Sequence, residues 1–239
     1  MSDIFELWDK DSSGVLTEDT LLLKAASAGR TGEVHSFPSG RILKTVFTYL
    51  EGVPDKAFIQ EQKDLIYKSR LVCRTSEWEE YIKTLPVKFV LKRVLMEPLC
   101  AESQKELKPL PEGYSIAPFS EKVFSEHPFD HGRSYKDHEE FLRDGAGAVV
   151  LWEGKVVSSA SSFITFEGHV ELDVFTDPEH RGKGLADHAA AEMMRQCKDK
   201  GLTIHWDAQN VMSERMAEGH GFKKVTEYAV YWVEGSENE

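Results

Sequence analysis

From Leu185 to Lys200 the apolar positions recur every four residues, at Leu185, Ala189, Met193 and Cys197, flanked by Ala186, Ala190 and Met194. Asp187, Glu192, Gln196 and Asp199 fall on other sides, so the segment predicts an amphipathic helix with one packed face, stopped by Gly201. Upstream, "GAVVLWEGKVVSSASSFITFEGHVELDVFT" contains three β-rich runs separated by "EGK" and "FEGH". Both separators carry the Glu-Gly chemistry of tight hairpin turns, so three consecutive antiparallel strands are expected. "YSIAPF" alternates like a strand, and Ser134–Gly145 ("SYKDHEEFLRDG") has a helical pattern ended by glycine. After the long helix, "LTIHWDA" predicts a strand, Ser213–Glu218 a short helix, "FKKVTEYAVYWV" one or two closing strands, and "EGSENE" a solvated tail.

The first half is patterned less sharply. "TEDTLLLKAASAG" and "DKAFIQEQKDLIYKSRL" predict helices, and "GRILKTVFTYLEG" and "VKFVLKRVLME" predict strands. "ELKPLPEG" (Glu106–Gly113) holds two prolines and a glycine and marks a boundary. The charge changes at the same place: residues 1–111 carry 16 Lys/Arg against 17 Asp/Glu, whereas residues 112–239 carry 13 against 24, a net of −11. The expected division is therefore an N-terminal α/β region over 1–111, a second domain over 112–234 and a tail over 235–239. A surface so acidic repels nucleic acid and favours cationic partners.

With 41% hydrophobic and 29% charged residues the chain reads as globular. No apolar run approaches the roughly 20 residues that span a bilayer. The start, "MSDIFELWDKD", lacks the basic-then-apolar pattern of a signal peptide. Cys73, Cys100 and Cys197 are odd in number and scattered, which indicates neither a disulfide framework nor a zinc site. A reduced, cytoplasmic location is the expectation.

Two segments invite a metal. "DKDSSGVLTEDT" (Asp9–Thr20) imitates a calcium loop through Asp9, Asp11, Ser13 and Gly14, but its twelfth position is Thr20 where a bidentate Glu is needed. The expectation is a polar turn, with Thr17 capping the next helix. His127, His131 and His138 in "HPFDHGRSYKDHEE" fit no common zinc spacing, so no metal is expected there either. Trp152 and Trp206 are expected in the core.

The chemistry concentrates in Thr176–Met194, "TDPEHRGKGLADHAAAEMM". A helix start leaves four N–H groups without intrahelical partners and carries about half a positive charge, so it binds anions where the backbone can be approached. Gly182, Gly184 and Ala186 remove bulk from that approach, and Arg181 and Lys183 add positive charge. A P-loop is excluded because Gly184 follows Lys183 where a hydroxyl is required. A dinucleotide fingerprint is excluded because its third glycine would be Asp187.

"TDPEHRGKGLA" resembles the signature of the GNAT superfamily of acetyl-CoA-dependent acyltransferases, Arg/Gln-x-x-Gly-x-Gly/Ala, with Arg181, Gly184 and Ala186 in the fixed places. Pro178 stands where that family often has a proline, and "NVMSERMAEGHGF" is similar to its second signature through Asn210, Gly221 and Phe222. The match covers roughly Gly113–Val233, and the pairing of "HWDAQN" with "GF" resembles the zwittermicin-resistance-type branch. The resemblance implies a mixed, mostly antiparallel sheet flanked by helices, with the N-terminal α/β region added. It implies acetyl-CoA as acyl donor, its pantetheine arm on the strand edge at Val174, Phe175 and Thr176. The pyrophosphate would lie on the N–H groups of Gly182, Lys183, Gly184, Leu185, Ala186 and Asp187, with Arg181 beside them. Asn210 would lie near the cofactor.

Acyl transfer to an amine requires the neutral nucleophile, so a base is needed. The family's usual acid, a Tyr seven residues after the asparagine, is here Ala217. His205, five residues before Asn210, stands where some members carry a glutamate base, and alternation puts Asp207 on the same strand face. Glu171 and Asp173 share one face of the neighbouring strand and are further candidates. Tyr228 and Tyr231 could supply the missing acid, although aromatic residues in a closing strand more often pack. The expected activity is N-acetylation of a primary amine on a small, cationic molecule by direct attack, with no nucleic-acid or membrane partner. The alternative is a CoA-binding sensor without turnover, which Ala217 suggests.

Overall fold

The computed structural model describes residues 13–98, 106–126 and 134–235. They form two compact units: residues 13–96 with 207–214 and 224–235, and residues 97–98, 106–126 and 134–206 with 215–223. Among the described residues no helix is long and apolar enough to cross a membrane.

The first unit contains helices α1 (Leu21–Ser27), α2 (Lys56–Glu61) and α3 (Ser76–Ile82), and strands β1 (Glu33–Phe37), β2 (Gly40–Lys44), β3 (Thr48–Gly52), β4 (Arg70–Cys73) and β5 (Val87–Pro98). The closing strand β11 (Phe222–Val233) belongs mainly to it, and the strand order is β1-β2-β3-β4-β11-β5. β3 and β4 run parallel, and β4 pairs antiparallel with β11 through Leu71↔Tyr231. Ile42, Leu50, Ile66, Leu71, Trp78 and Ile82 are buried together in its core. The expected strand "GRILKTVFTYLEG" is the β2–β3 hairpin, turned where Thr45 N donates to Phe47 O at 2.7 Å. The expected helix "DKAFIQEQKDLIYKSRL" breaks after α2 into a 3₁₀ turn at Lys63–Leu65, and its last residues enter β4. Thr20, not Thr17, caps α1: its Oγ1 accepts from Leu23 N at 3.1 Å and bonds the Tyr49 hydroxyl at 3.1 Å.

The second unit holds β6 (Tyr114–Pro118), α4 (Glu121–Glu126), α5 (His138–Asp144), β7 (Gly147–Trp152), β8 (Lys155–Phe166), β9 (His169–Thr176), α6 (Leu185–Lys200) and most of β10 (Thr203–Ala208). α7 (Val211–Gly219) runs between β10 and β11 in the chain. The strand order is β10-β9-β8-β7-β6, antiparallel except for β9 and β10. Both expected hairpins form, with Glu153 and Gly154 at φ 50 and 75°, and Glu167 and Gly168 at φ 50 and 77°. Two successive positive φ values match the right-handed twist of the flanking strands, which is why each turn needs a glycine. α6 spans the predicted residues and buries Leu185, Ala189, Ala190, Met193 and Cys197. It packs on β7, β8 and β9. α5 is shorter than expected because Asp137 caps it, accepting from Glu140 N at 2.8 Å. Trp206 is buried as expected, but Trp152 is only half-buried, packed against Tyr114 with the rings tilted and their centroids 4.5 Å apart.

Candidate active site

β9 and β10 pair over only three positions, Thr203↔His169, Ile204↔Val170 and His205↔Glu171. β9 then continues through Val174, Phe175 and Thr176 with β8 on its other side, Ser158 opposite Thr176. Ser158 Oγ donates to Phe175 O at 2.8 Å and bonds Thr176 Oγ1 at 2.8 Å, which ties this edge to β8.

The chain leaves β9 through a 3₁₀ turn, Pro178–His180, capped by Asp177, whose Oδ1 accepts from Glu179 N at 2.9 Å. It reaches α6 through Arg181, Gly182, Lys183 and Gly184, all exposed. Gly182 and Gly184 adopt φ 77 and 76°, a left-handed backbone that a β-carbon disfavours. A β-carbon at either would meet no heavy atom within 4 Å, so the space in front of the loop is open. Gly184 is the N-cap residue of α6, and no side chain caps the helix. The N–H groups of Leu185, Ala186 and Asp187 are therefore the first-turn donors that an α-helix leaves without intrahelical acceptors. Arg181 Nε donates to Thr176 O at 3.1 Å, and Lys183 Nζ donates to Glu179 O at 3.3 Å. Both cations are thereby held at the loop, and Lys183 Nζ also lies 5.6 Å from the centre of the Tyr114 ring. Tyr114 in turn bonds His180 Nδ1 through its hydroxyl at 2.8 Å. Leu185 is buried at the start of α6.

Alternation along β9 puts His169, Glu171 and Asp173 on one face and Val170 and Leu172 on the other; Glu171 is buried, its carboxylate oxygens included, as are Val170 and Leu172. His205, the register partner of Glu171, bonds His169: Nε2 of one lies 2.9 Å from Nδ1 of the other. One ring nitrogen must donate and the other accept, so this bond requires at least one ring to be neutral. His169 sits two positions before Glu171, at the end of the "FEGH" turn, where no sequence pattern marks it as the partner of His205.

Asp207 does not stand ready as a second base. Its Oδ1 lies 3.1 Å from Arg93 Nε, its carbonyl accepts from the Arg93 guanidinium at 2.8 Å, and Tyr228 donates to its Oδ2 at 2.6 Å. Tyr228 is fully buried, and burial followed by the Asp207 charge raises its pKa well above the ordinary value. Tyr231 donates to Glu79 Oε1 at 3.1 Å. Both tyrosines are packing residues whose hydroxyls already have acceptors. Ala217 is wholly buried in α7, and Asn210 caps that helix by accepting from Ser213 N at 2.9 Å through its Oδ1.

In the calcium-like segment, Asp9 and Asp11 lie outside the described residues. Gly14 N donates to Glu79 Oε1 at 2.7 Å and Gly14 O accepts from Ala229 N at 3.1 Å, so Gly14 is folded into the core, while Ser13, Thr17, Glu18 and Asp19 are exposed. His127 and His131 also lie outside the described residues, while His138 bonds Phe119 O at 3.0 Å. Among the described residues no cluster of three His, Cys, Asp or Glu is placed to hold a metal ion.

Residues 18–231 match the family model described as GNAT acetyltransferase. The uncharacterized N-acetyltransferase YdfB of Bacillus subtilis (strain 168) is 31% identical over 137 residues, covering 55% of this chain and 52% of that protein. The match thus spans about half the length of this curated relative. A GCN5-related N-acetyltransferase-like protein from Streptococcus suis 89/1591 is similar in structure with a TM-score of 0.72, at 24% identity over 88% of this chain and 91% of that one. A GCN5-related N-acetyltransferase from Kribbella flavida gives a TM-score of 0.58, at 16% identity over 90% and 95%. At these identities the two structures bear on the fold.

Proposed function

The chain belongs to the GNAT acetyltransferase family, and on that premise we propose that it transfers an acetyl group from acetyl-CoA to a primary amine of a small cationic molecule by direct attack. Acetyl-CoA, the acyl donor of that family, supplies an activated thioester and a thiol leaving group. The observation that carries the reading is the start of α6. It combines an uncapped first turn, two left-handed glycines with open space before them, and two exposed cations. A diphosphate there gains both the first-turn N–H donors and the positive end of the helix dipole. The edge of β9 at Val174, Phe175 and Thr176 leads away from the loop and offers backbone groups to an extended arm.

The acceptor amine is mostly protonated at neutral pH and must lose a proton before attack. His205, oriented by its bond to His169, is the proposed base, with Glu171 and Asp173 drawing the cationic acceptor to the same strand face. The net of −11 over residues 112–239 supports a cationic acceptor rather than a polyanion.

The test joins binding to turnover. Saturating acetyl-CoA should raise the melting temperature, and Gly184→Glu should abolish the rise by putting a carboxylate at the phosphate position. A panel of polyamines and amine-bearing antibiotics should then release free thiol in an acceptor-dependent way. No thermal shift would sink the cofactor site; a shift without thiol release would instead favour a CoA sensor.

A further inference from the structure

Asp187 occupies the third position of α6, inside the turn that faces the proposed diphosphate. An acidic side chain there ordinarily reaches back to the free N–H at the helix cap, and its charge opposes a bound anion. The structure shows it directed elsewhere. His220 Nε2 lies 3.0 Å from Asp187 Oδ1, and since a carboxylate only accepts, the imidazole donates. His220 is held on several sides. Its N–H closes the end of α7 on Met216 O and Ala217 O, and its ring stacks on the buried Trp206 at 6.2 Å and 29°. The His220 side chain is 3% exposed and that of Asp187 22%. The donor is therefore fixed, and the more exposed carboxylate is the partner drawn toward it.

We propose that His220 is a positioning residue for the acyl donor: it draws the Asp187 carboxylate off the first turn of α6 and so keeps those N–H groups open to the diphosphate. The inference rests on the reading of α6 as the acetyl-CoA site. It assigns the acidic residue of the loop a restrained place, with its backbone N–H and not its side chain serving the ligand. Nothing in the glycine motif itself would indicate this, because the partner lies beyond β10, inside the second signature segment and directly before Gly221.

The experiment is calorimetric titration of acetyl-CoA into the full-length protein and four variants. His220→Leu should weaken binding about tenfold, the scale of one misplaced charge at a helix terminus. His220→Gln, which keeps a donor, should recover most of that loss. Asp187→Ala should bind a few-fold more tightly than wild type, and Asp187→Ala combined with His220→Leu should bind at least as well as wild type. If the double variant stays as weak as His220→Leu, His220 acts only through packing and the proposal fails. If Asp187→Ala alone weakens binding tenfold, the carboxylate itself contributes to the site and the proposal also fails, even where His220→Leu does not fold. Wild-type protein that binds no acetyl-CoA would overturn the functional reading, and this inference with it.

Discussion

The Tyr228 hydroxyl donates to Asp207 Oδ2 at 2.6 Å, and the phenol is fully buried where it does so. Arg93 reaches the other carboxylate oxygen at 3.1 Å while its guanidinium lies 4.9 Å from the centre of the Phe47 ring. This network is structural, so its disruption should appear in stability. Tyr228→Phe leaves a buried carboxylate oxygen short of a donor and should cost about 1–3 kcal/mol. Urea denaturation should show a lower midpoint with an unchanged slope. A midpoint equal to wild type would mean that the bond contributes nothing.

Alkaline pH should destabilise the fold through the same residues. Burial, then the Asp207 charge, raises Tyr228 well above the ordinary value, and burial pushes Tyr135 up to about 12. Burial, then the neighbouring Cys73 and Glu79, raises Tyr231 as well. In the unfolded chain these phenols ionise near ~10. Folded values above unfolded ones mean that the contribution is complete below about pH 10 and is lost as pH climbs toward the folded values. Stability to urea should therefore hold level to about pH 9 and then fall. Tyrosinate absorbance of these three residues should appear only together with unfolding; its appearance in the folded protein near pH 10 would contradict the burial argument.

Burial pushes the thiols of Cys73 and Cys197 each up to about 12. The thiolate is the reactive form, so neither should react with a disulfide reagent at pH 8 in the native protein, and both should react in denaturant. Peptide mapping after labelling checks this. Cys100 lies outside the described residues and is scored separately. The result has practical weight, because a thiol-release assay needs the protein's own background to be known.

What could be read from the chain was what local physics decides. α6 was legible because its apolar stripe has a helical period and Gly201 closes it in the left-handed region. The hairpins of the second unit were legible because Gly154 and Gly168 mark turns that need positive φ. β4 was not, because its four residues follow a run of good helix formers and are claimed as a strand by pairing with β3 and β11. α3 and β1 were missed for similar reasons, being short elements stabilised by a distant core. Within the site, the glycine loop was visible as a motif. The His205–His169 and Asp187–His220 bonds were not, since no sequence pattern records partners 36 and 33 residues apart.

The last prediction separates the three candidates for proton removal. If His205 takes the amine proton, His205→Gln should lower kcat by about 10²–10⁴-fold while acetyl-CoA still raises the melting temperature. The acidic limb of the kcat/KM–pH profile should vanish with it, because that limb reports a base in the free enzyme. His169→Gln removes only the bond that orients the His205 ring, so it should lower kcat less and leave the limb in place. Glu171→Gln and Asp173→Asn act on a face that attracts the acceptor, so they should raise the acceptor KM more than they lower kcat. The opposite split, with the limb surviving in His205→Gln and disappearing in Glu171→Gln, would move the base from β10 to β9.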